Sequence, residues 1–169
     1  MFSFDIRYIQ TQVFDACGFE YTDPLPEIES AEYKASYFKL NKLHVRFRKA
    51  KITPTKVGQF VTLWKRVESG VIAPFADTDS IDLVIINVES GNHFGQFIFP
   101  KSVLCQQGIL TIANKKEGKR GFRVYPPWDN TTNTQAIKTQ KWQLNYFLDL
   151  SSIQSDTLEK AKALYNNEL

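Results

Sequence analysis

Between Val45 and Arg66 the chain carries seven basic residues, Arg46, Arg48, Lys49, Lys51, Lys56, Lys65 and Arg66, and no acid. Ordinary protein surfaces mix the two signs, which limits self-repulsion. A run of like charge with no local partner therefore points to an anion outside the chain or to acids elsewhere within it. The alternation in His44-Val45-Arg46-Phe47-Arg48 reads as a β-strand, which puts Arg46 and Arg48 on one face. Two residues of strand rise separate their guanidiniums by about 6–7 Å, close to the step between successive phosphates of a nucleic-acid strand. Ile52-Thr53-Pro54-Thr55-Lys56-Val57-Gly58 then reads as a connection to a second strand, Phe60 to Trp64, with the Thr53 and Thr55 hydroxyls beside Lys51 and Lys56.

A second basic cluster comprises Lys115, Lys116, Lys119, Arg120 and Arg123, with Glu117 as its one acid. It lies at a turn flanked by Gly118 and Gly121, where backbone amides can also face an anion. Lys101 follows the end of a strand at Pro100. Trp128 and Trp142 come soon after, with Gln135, Gln140 and Gln143 among them. Flat rings beside cations suit stacking on bases, and amides suit base edges or phosphates. The expected anion-binding or nucleic-acid-binding set is therefore Arg46, Arg48, Lys51, Thr53, Lys56, Arg66, Lys101, Lys119, Arg120, Arg123, Trp128 and Gln140. The competing reading pairs these bases with the acidic N-terminal segment and packs the tryptophans into the core.

The net charge of +3 conceals that segregation. Residues 1–32 sum to −6, residues 33–148 to +11 and residues 149–169 to −2. Such a middle section can project a positive field from a nearly balanced chain.

Reaction chemistry is harder to find. A metal-dependent nuclease of the restriction-enzyme kind needs an Asp, then an acidic-x-Lys tripeptide on the next strand, so that carboxylates hold the metal and lysine orients water. Asp82 opens an apolar strand as such an Asp should, but the following strand, Phe94 to Phe99, offers Gln96 and then Pro100-Lys101. The chain's Glu-x-Lys tripeptides, Glu32-Tyr33-Lys34 and Glu117-Gly118-Lys119, lie elsewhere. Asp77 to Asp82 lacks the glycine and closing glutamate of a calcium loop. Phosphate-loop and nucleophile-elbow motifs are absent, and two scattered Cys and two scattered His do not predict a metal site. No metal and no cofactor is expected.

These residues need elements to position them. The 169 residues fit one domain spanning 1–169. Residues 4–16 predict a helix with Phe4, Tyr8, Ile9 and Phe14 on one face, and residues 29–40 a second helix. Ile81 to Val88 predicts a central strand and Phe94 to Phe99 its neighbour, with a short helix over 101–107. Ile109 to Ala113 and Phe122 to Tyr125 read as a hairpin around the second basic cluster. Helices follow over 134–148, with Ile137 and Leu144 facing inward, and over 155–166. The expected fold class is α+β: an antiparallel or mixed sheet packed by N- and C-terminal helices. No run is long enough to cross a bilayer and the N-terminus has no leader pattern.

Four blocks in order resemble the MepB-like family. They are Arg46 through Phe60 running on to Arg66; Gly95 to Lys101; Gly118 to Pro126; and Gln135 through Gln140 to Gln143. The resemblance covers about residues 30–148. It implies a bacterial, cytoplasmic protein and kinship with restriction-nuclease-like cores that bind nucleic acid. The residues matching the motif are Arg46, Lys51, Thr53, Lys56, Gly58, Trp64, Arg66, Lys119, Arg123, Tyr125, Trp128 and Gln140. The expected function is nucleic-acid binding without an assigned reaction. The alternatives are an enzyme or binder for a small phosphorylated or nucleotide-like ligand, and a nuclease with a degenerate metal site.

Overall fold

The computed structural model describes residues 5–167. Its centre is a six-stranded mixed sheet built from β1 (Leu25–Pro26), β2 (Ser36–Leu40), β3 (Leu43–Lys49), β8 (Leu83–Ser90), β9 (His93–Pro100) and β11 (Phe147–Asp149), in that order. Every adjacent pair is antiparallel except β3 and β8, which run parallel with Val45 opposite Leu83. The segment joining that parallel pair carries β4 (Lys51–Ile52), β5 (Gln59–Thr62), β6 (Trp64–Arg66) and β7 (Ile72–Pro74). β5 pairs with β4 and with β10 (Gly121–Val124) in a three-stranded sheet, and β6 pairs with β7.

The predicted apolar run from Ile81 forms β8, buried on both faces, as its unbroken hydrophobicity requires. One face, with Leu83, Ile85, Val45 and Phe47, packs under the N-terminal helix and α5 (Ser155–Tyr165). The opposite face, with Val84, Ile86 and Val88, packs under the three-stranded sheet, α3 (Lys101–Gln106) and α4 (Thr134–Gln143). A buried polar chain crosses the first layer: the Gln96 amide donates to Asn87 Oδ1 (2.5 Å), and the Tyr165 hydroxyl donates to Gln96 Oε1. Low dielectric strengthens such a fully paired chain. Burial holds the Tyr165 phenol well above its ordinary pKa.

Several expectations change. The N-terminal helix is α1 (Ile6–Ile9), a π-helical segment (Gln10–Phe14) and α2 (Asp15–Cys17); Phe4 lies outside the described residues. No helix spans 29–40. Ser30 and Lys34, both left-handed, bracket a single 3₁₀ turn (Ala31–Tyr33), and the chain then extends into β2. Phe122 to Tyr125 does not pair with Ile109 to Ala113; β10 pairs with β5 instead, with Phe122 opposite Val61. α4 stops at Gln143, followed by a 3₁₀ turn (Leu144–Tyr146) and β11. Its buried residues are Ala136 and Gln143, whereas Ile137 is exposed. No helix among the described residues is long and apolar enough to cross a membrane.

Candidate functional site

The first basic block is largely neutralised from within. Strand alternation does put Arg46 and Arg48 on one face, but Glu27, next to the edge strand β1, takes both guanidiniums. Arg48 Nη1 lies 2.5 Å from Glu27 Oε2 and also donates to the Phe47 carbonyl, while Nε donates to the Thr62 carbonyl. With 0% of its surface exposed, Arg48 cannot meet an external polymer, and the expectation that it binds phosphate is corrected. Desolvation pulls its pKa below the ordinary value and Glu27 opposes that shift. The Arg46 guanidinium lies over the rings of Tyr37 (4.8 Å) and Phe75 (5.1 Å). Arg66 pairs with Glu29 (3.1 Å), Lys51 with Glu32 (3.5 Å), Lys49 with Glu89 (2.6 Å) and Lys65 with Asp79 (2.7 Å). Lys101 Nζ donates to the Asp79 carbonyl (3.4 Å). Of the seven bases, Lys56 alone, exposed on its loop, has no ion pair among the described residues.

The second cluster behaves differently. The chain returns from the basic tip by running close against residues 109–111. Lys119 N–H donates to the Ile109 carbonyl (2.9 Å) and Gly118 N–H to Thr111 Oγ1 (2.8 Å). A Cβ on Gly118 would sit 2.3 Å from the Ile109 oxygen, so the approach requires glycine. Strand alternation then turns Phe122 and Val124 into the core and Gly121 and Arg123 to the other face, where Lys119 before the strand and Tyr125 after it join them. α4 opposes them with Gln135, Lys138, Thr139 and Trp142, spaced i, i+3, i+4, i+7 on one helix face. Gln143, fully buried, locks the two walls together: its Oε1 accepts from Tyr125 N–H (2.8 Å) and its amide donates to the Arg123 carbonyl (2.9 Å).

The result is a groove of about 560 Å³, to whose lining Gln107 and Ile109 also contribute. Three cations line it, Lys119, Arg123 and Lys138, and no carboxylate. Trp142, backed by Phe99 at 5.3 Å, and Tyr125 supply rings. Gln107 is shared with a smaller adjoining groove of about 340 Å³ that carries Lys115 and Lys116, again without a carboxylate.

Beside the groove, several of the motif residues hold one corner. Arg123 Nη2 donates to Thr53 Oγ1, tying the loop after β4 to β10. Gly58, at φ +85°, sits against the Tyr125 ring and gives its N–H to the Asp129 carboxylate. Burial raises the Asp129 pKa, against the opposing pull of Arg123 and of that N–H. The Gln140 amide donates to the carbonyls of Pro126 (2.9 Å) and Asp129 (3.0 Å), and its oxygen accepts from Thr131 (2.9 Å). Gln140 thus braces the Pro126–Asp129 turn and does not face the groove. Trp128 has one face covered by His93 (5.2 Å, 17°) and packs edge-on against Phe147. Arg120 pairs with Glu117 at 3.1 Å.

Of the expected set, then, Lys119 and Arg123 come together in the groove. Thr53, Trp128 and Gln140 support its corner, and Arg46, Arg48, Lys51, Arg66, Lys101 and Arg120 have partners within the chain. Lys138 was missed. Its i−3 and i+4 relation to Gln135 and Trp142 was the available signal, obscured by assigning the helix's inner face to Ile137. Asp82 accepts from His44 N–H (2.7 Å). Among the described residues no group of three His, Cys, Asp or Glu comes together that could hold a metal ion.

Comparison with known proteins agrees with the sequence blocks. A solved structure described as the crystal structure of MepB superposes with a TM-score of 0.75 at 36% identity, covering 85% of this chain and 93% of that one. A bacterial homing endonuclease, I-Ssp6803I, superposes with a TM-score of 0.43 at 15% identity, over 89% of this chain and 86% of that one, a likeness too distant to carry an argument. No curated protein matches. The MepB-like family profile matches residues 27–149, and with the groove, its corner and the flanking ion pairs inside that span, the chain belongs to the MepB-like family.

Proposed function

We propose that the β10–α4 groove binds nucleic acid as a single strand, with Lys119, Arg123 and Lys138 on phosphates and a base against Trp142 or Tyr125. The observation that carries this reading is the carboxylate-free lining, in which a strand face and a helix face converge their cations beside two rings. Lys115 and Lys116 in the adjoining groove extend the positive track beyond one nucleotide. Aromatic walls favour unstacked bases, and cations along the track favour a polymer of phosphates. The proposal keeps polyanion binding and moves it from the Val45–Arg66 block to the second cluster. No reaction is assigned to the groove.

Three phosphate contacts predict that log K falls with log salt at a slope of about −2 for single strands. Removing one cation by Lys138→Ala or Lys119→Ala should flatten that slope by about 0.7. Fluorescence anisotropy with a labelled oligonucleotide at two salt concentrations reads both. A salt-independent signal, or no binding at low salt, would sink the proposal. The concavity of the site favours a second reading, a small phosphorylated or nucleotide-like ligand. A mononucleotide that competes as well as the oligonucleotide would replace the first reading with this one.

A further inference from the structure

Lys56, the base of the first block left without an ion pair, sits on a loop that is fastened to the groove. Residues 53–58 connect β4 to β5. β10 pairs with β5, and their register puts Val124, the last residue of β10, opposite Gln59. The loop therefore adjoins the end of β10 from which Tyr125 continues. It is clamped there twice, by residues that themselves line the groove. Arg123 donates from Nη2 to Thr53 Oγ1, and the Tyr125 ring lies against the buried Gly58. Between the clamps Pro54, Thr55, Lys56 and Val57 are all exposed. Pro54 fixes one φ of this short span, so the loop presents its cation with little conformational freedom left to lose. Asp129, the carboxylate of this corner, is engaged with the Gly58 N–H and with the charge of Arg123.

The other end of the groove is cationic as well. Lys119 stands ahead of Gly121, where β10 begins, and Gln107 is shared with the adjoining groove that carries Lys115 and Lys116. Positive charge thus continues past both ends of β10, with Arg123 between. A pocket for one small anion needs no charge outside its walls, and a site for a strand terminus needs charge beyond one end only. Charge beyond both ends suits a chain of phosphates that enters and leaves. We propose that the groove takes the interior of a single strand, laid along β10 from Lys115 and Lys116 past Lys119 and Arg123 to Lys56, with no need of a free end, a path that rests on the nucleic-acid reading of the groove.

The test is fluorescence anisotropy of the full chain with labelled oligodeoxythymidylates, a short one of about three nucleotides and a long one of about twelve. Each phosphate contact adds about 0.7 to the salt slope for single strands. A strand that reaches Lys115, Lys116, Lys119, Arg123, Lys138 and Lys56 therefore predicts a slope of about −4, against about −2 for one that fills the groove alone. Lys56→Ala should flatten the long strand's slope by about 0.7 and leave the short strand's unchanged. Lys56→Arg should keep the parent slope. Lys160→Ala, which removes an exposed charge on α5, should change neither. A covalently closed circle should compete with the labelled long strand as well as the linear strand of the same sequence does. The inference is overturned by a parent-like slope in Lys56→Ala, by an equal change in Lys160→Ala, or by a circle that competes about tenfold worse. Each of these results leaves the groove standing as long as Lys119→Ala and Lys138→Ala weaken both lengths. If those two variants bind both strands as the parent does, the groove reading itself fails and the path falls with it.

Discussion

Glu27→Gln should be among the most damaging single-atom-scale changes available to this chain. The substitution keeps the shape of the side chain and removes its charge. Arg48, with no exposed surface, would be left beside Arg46 with no counterion. Burial already lowers the Arg48 pKa, and Glu27 is the group that opposes this. Breaking a buried pair by removing one partner costs about 3–5 kcal/mol. For a chain of this length, about 2–4 °C is lost per kcal/mol, so the melting temperature should fall by about 6–20 °C. Two comparators calibrate the result. Glu29→Gln and Glu32→Gln remove the partners of Arg66 and Lys51, which are solvent-exposed pairs worth about 1 kcal/mol or less. Adding Arg48→Met to Glu27→Gln removes the stranded charge while filling similar volume, and should recover much of the loss. Thermal and urea unfolding followed by circular dichroism measure all four variants. The reasoning fails if Glu27→Gln costs less than about 1 kcal/mol, if it matches Glu29→Gln, or if the double variant is no more stable than the single.

Other outcomes follow from the corner and the groove. Gly58→Ala should cost more than about 1 kcal/mol in urea unfolding, because φ is +85° and a Cβ would lie 2.7 Å from the Tyr125 ring and 2.9 Å from the Val124 oxygen. Gln143→Leu should cost about 2–5 kcal/mol, since it strands the Tyr125 N–H and the Arg123 carbonyl in a buried site, and it should also weaken oligonucleotide binding by freeing α4 from β10. The Asp129 pKa is raised in the folded state, so its contribution to stability is complete below the unfolded pKa and is lost as pH climbs through the folded one. Asp129→Asn lacks that loss. Measured by urea unfolding between about pH 4 and pH 7, its stability relative to the parent should therefore improve as pH rises.

Much of the fold could be read from the residues. The β8 run announced a doubly buried strand, and the 155–166 helix and the 101–107 helix stand close to where periodicity put them. The segment 29–40 did not yield to the same reasoning. Ala31, Ala35 and Phe38 mimic a helical face, but Ser36, Phe38 and Leu40 alternate as well, and pairing with β3 decides between two patterns that local sequence leaves level. The basic block shows the same limit in electrostatics. The residue types showed both that seven cations lacked local acids and that residues 23–32 were rich in acids, but only tertiary contact revealed that Glu27, Glu29 and Glu32 reach Arg46, Arg48, Arg66 and Lys51. For the groove, Lys119 and Arg123 were legible because five bases against one acid gather at a glycine-flanked turn. Lys138 was not, because the inner face of a helix whose buried residues are Ala136 and Gln143 carries almost no hydrophobic signal.

The parallel pairing of β3 with β8 also governs when the groove can exist during synthesis. Residues 50–82 must leave the sheet and return before that pair can close, and this excursion carries β5, the strand on which β10 later docks. The sheet's far edge waits longer still, since β11 comes from residues 147–149. Contacts between distant stretches of chain form late, because loop closure must precede any gain from them. A nascent chain emerging from the ribosome as far as residue 120 holds most of its central strands and lacks β10 and α4. Assembly of the positive track thus waits for residues 121–143, and chains that stop before them carry the internally neutralised block without the groove.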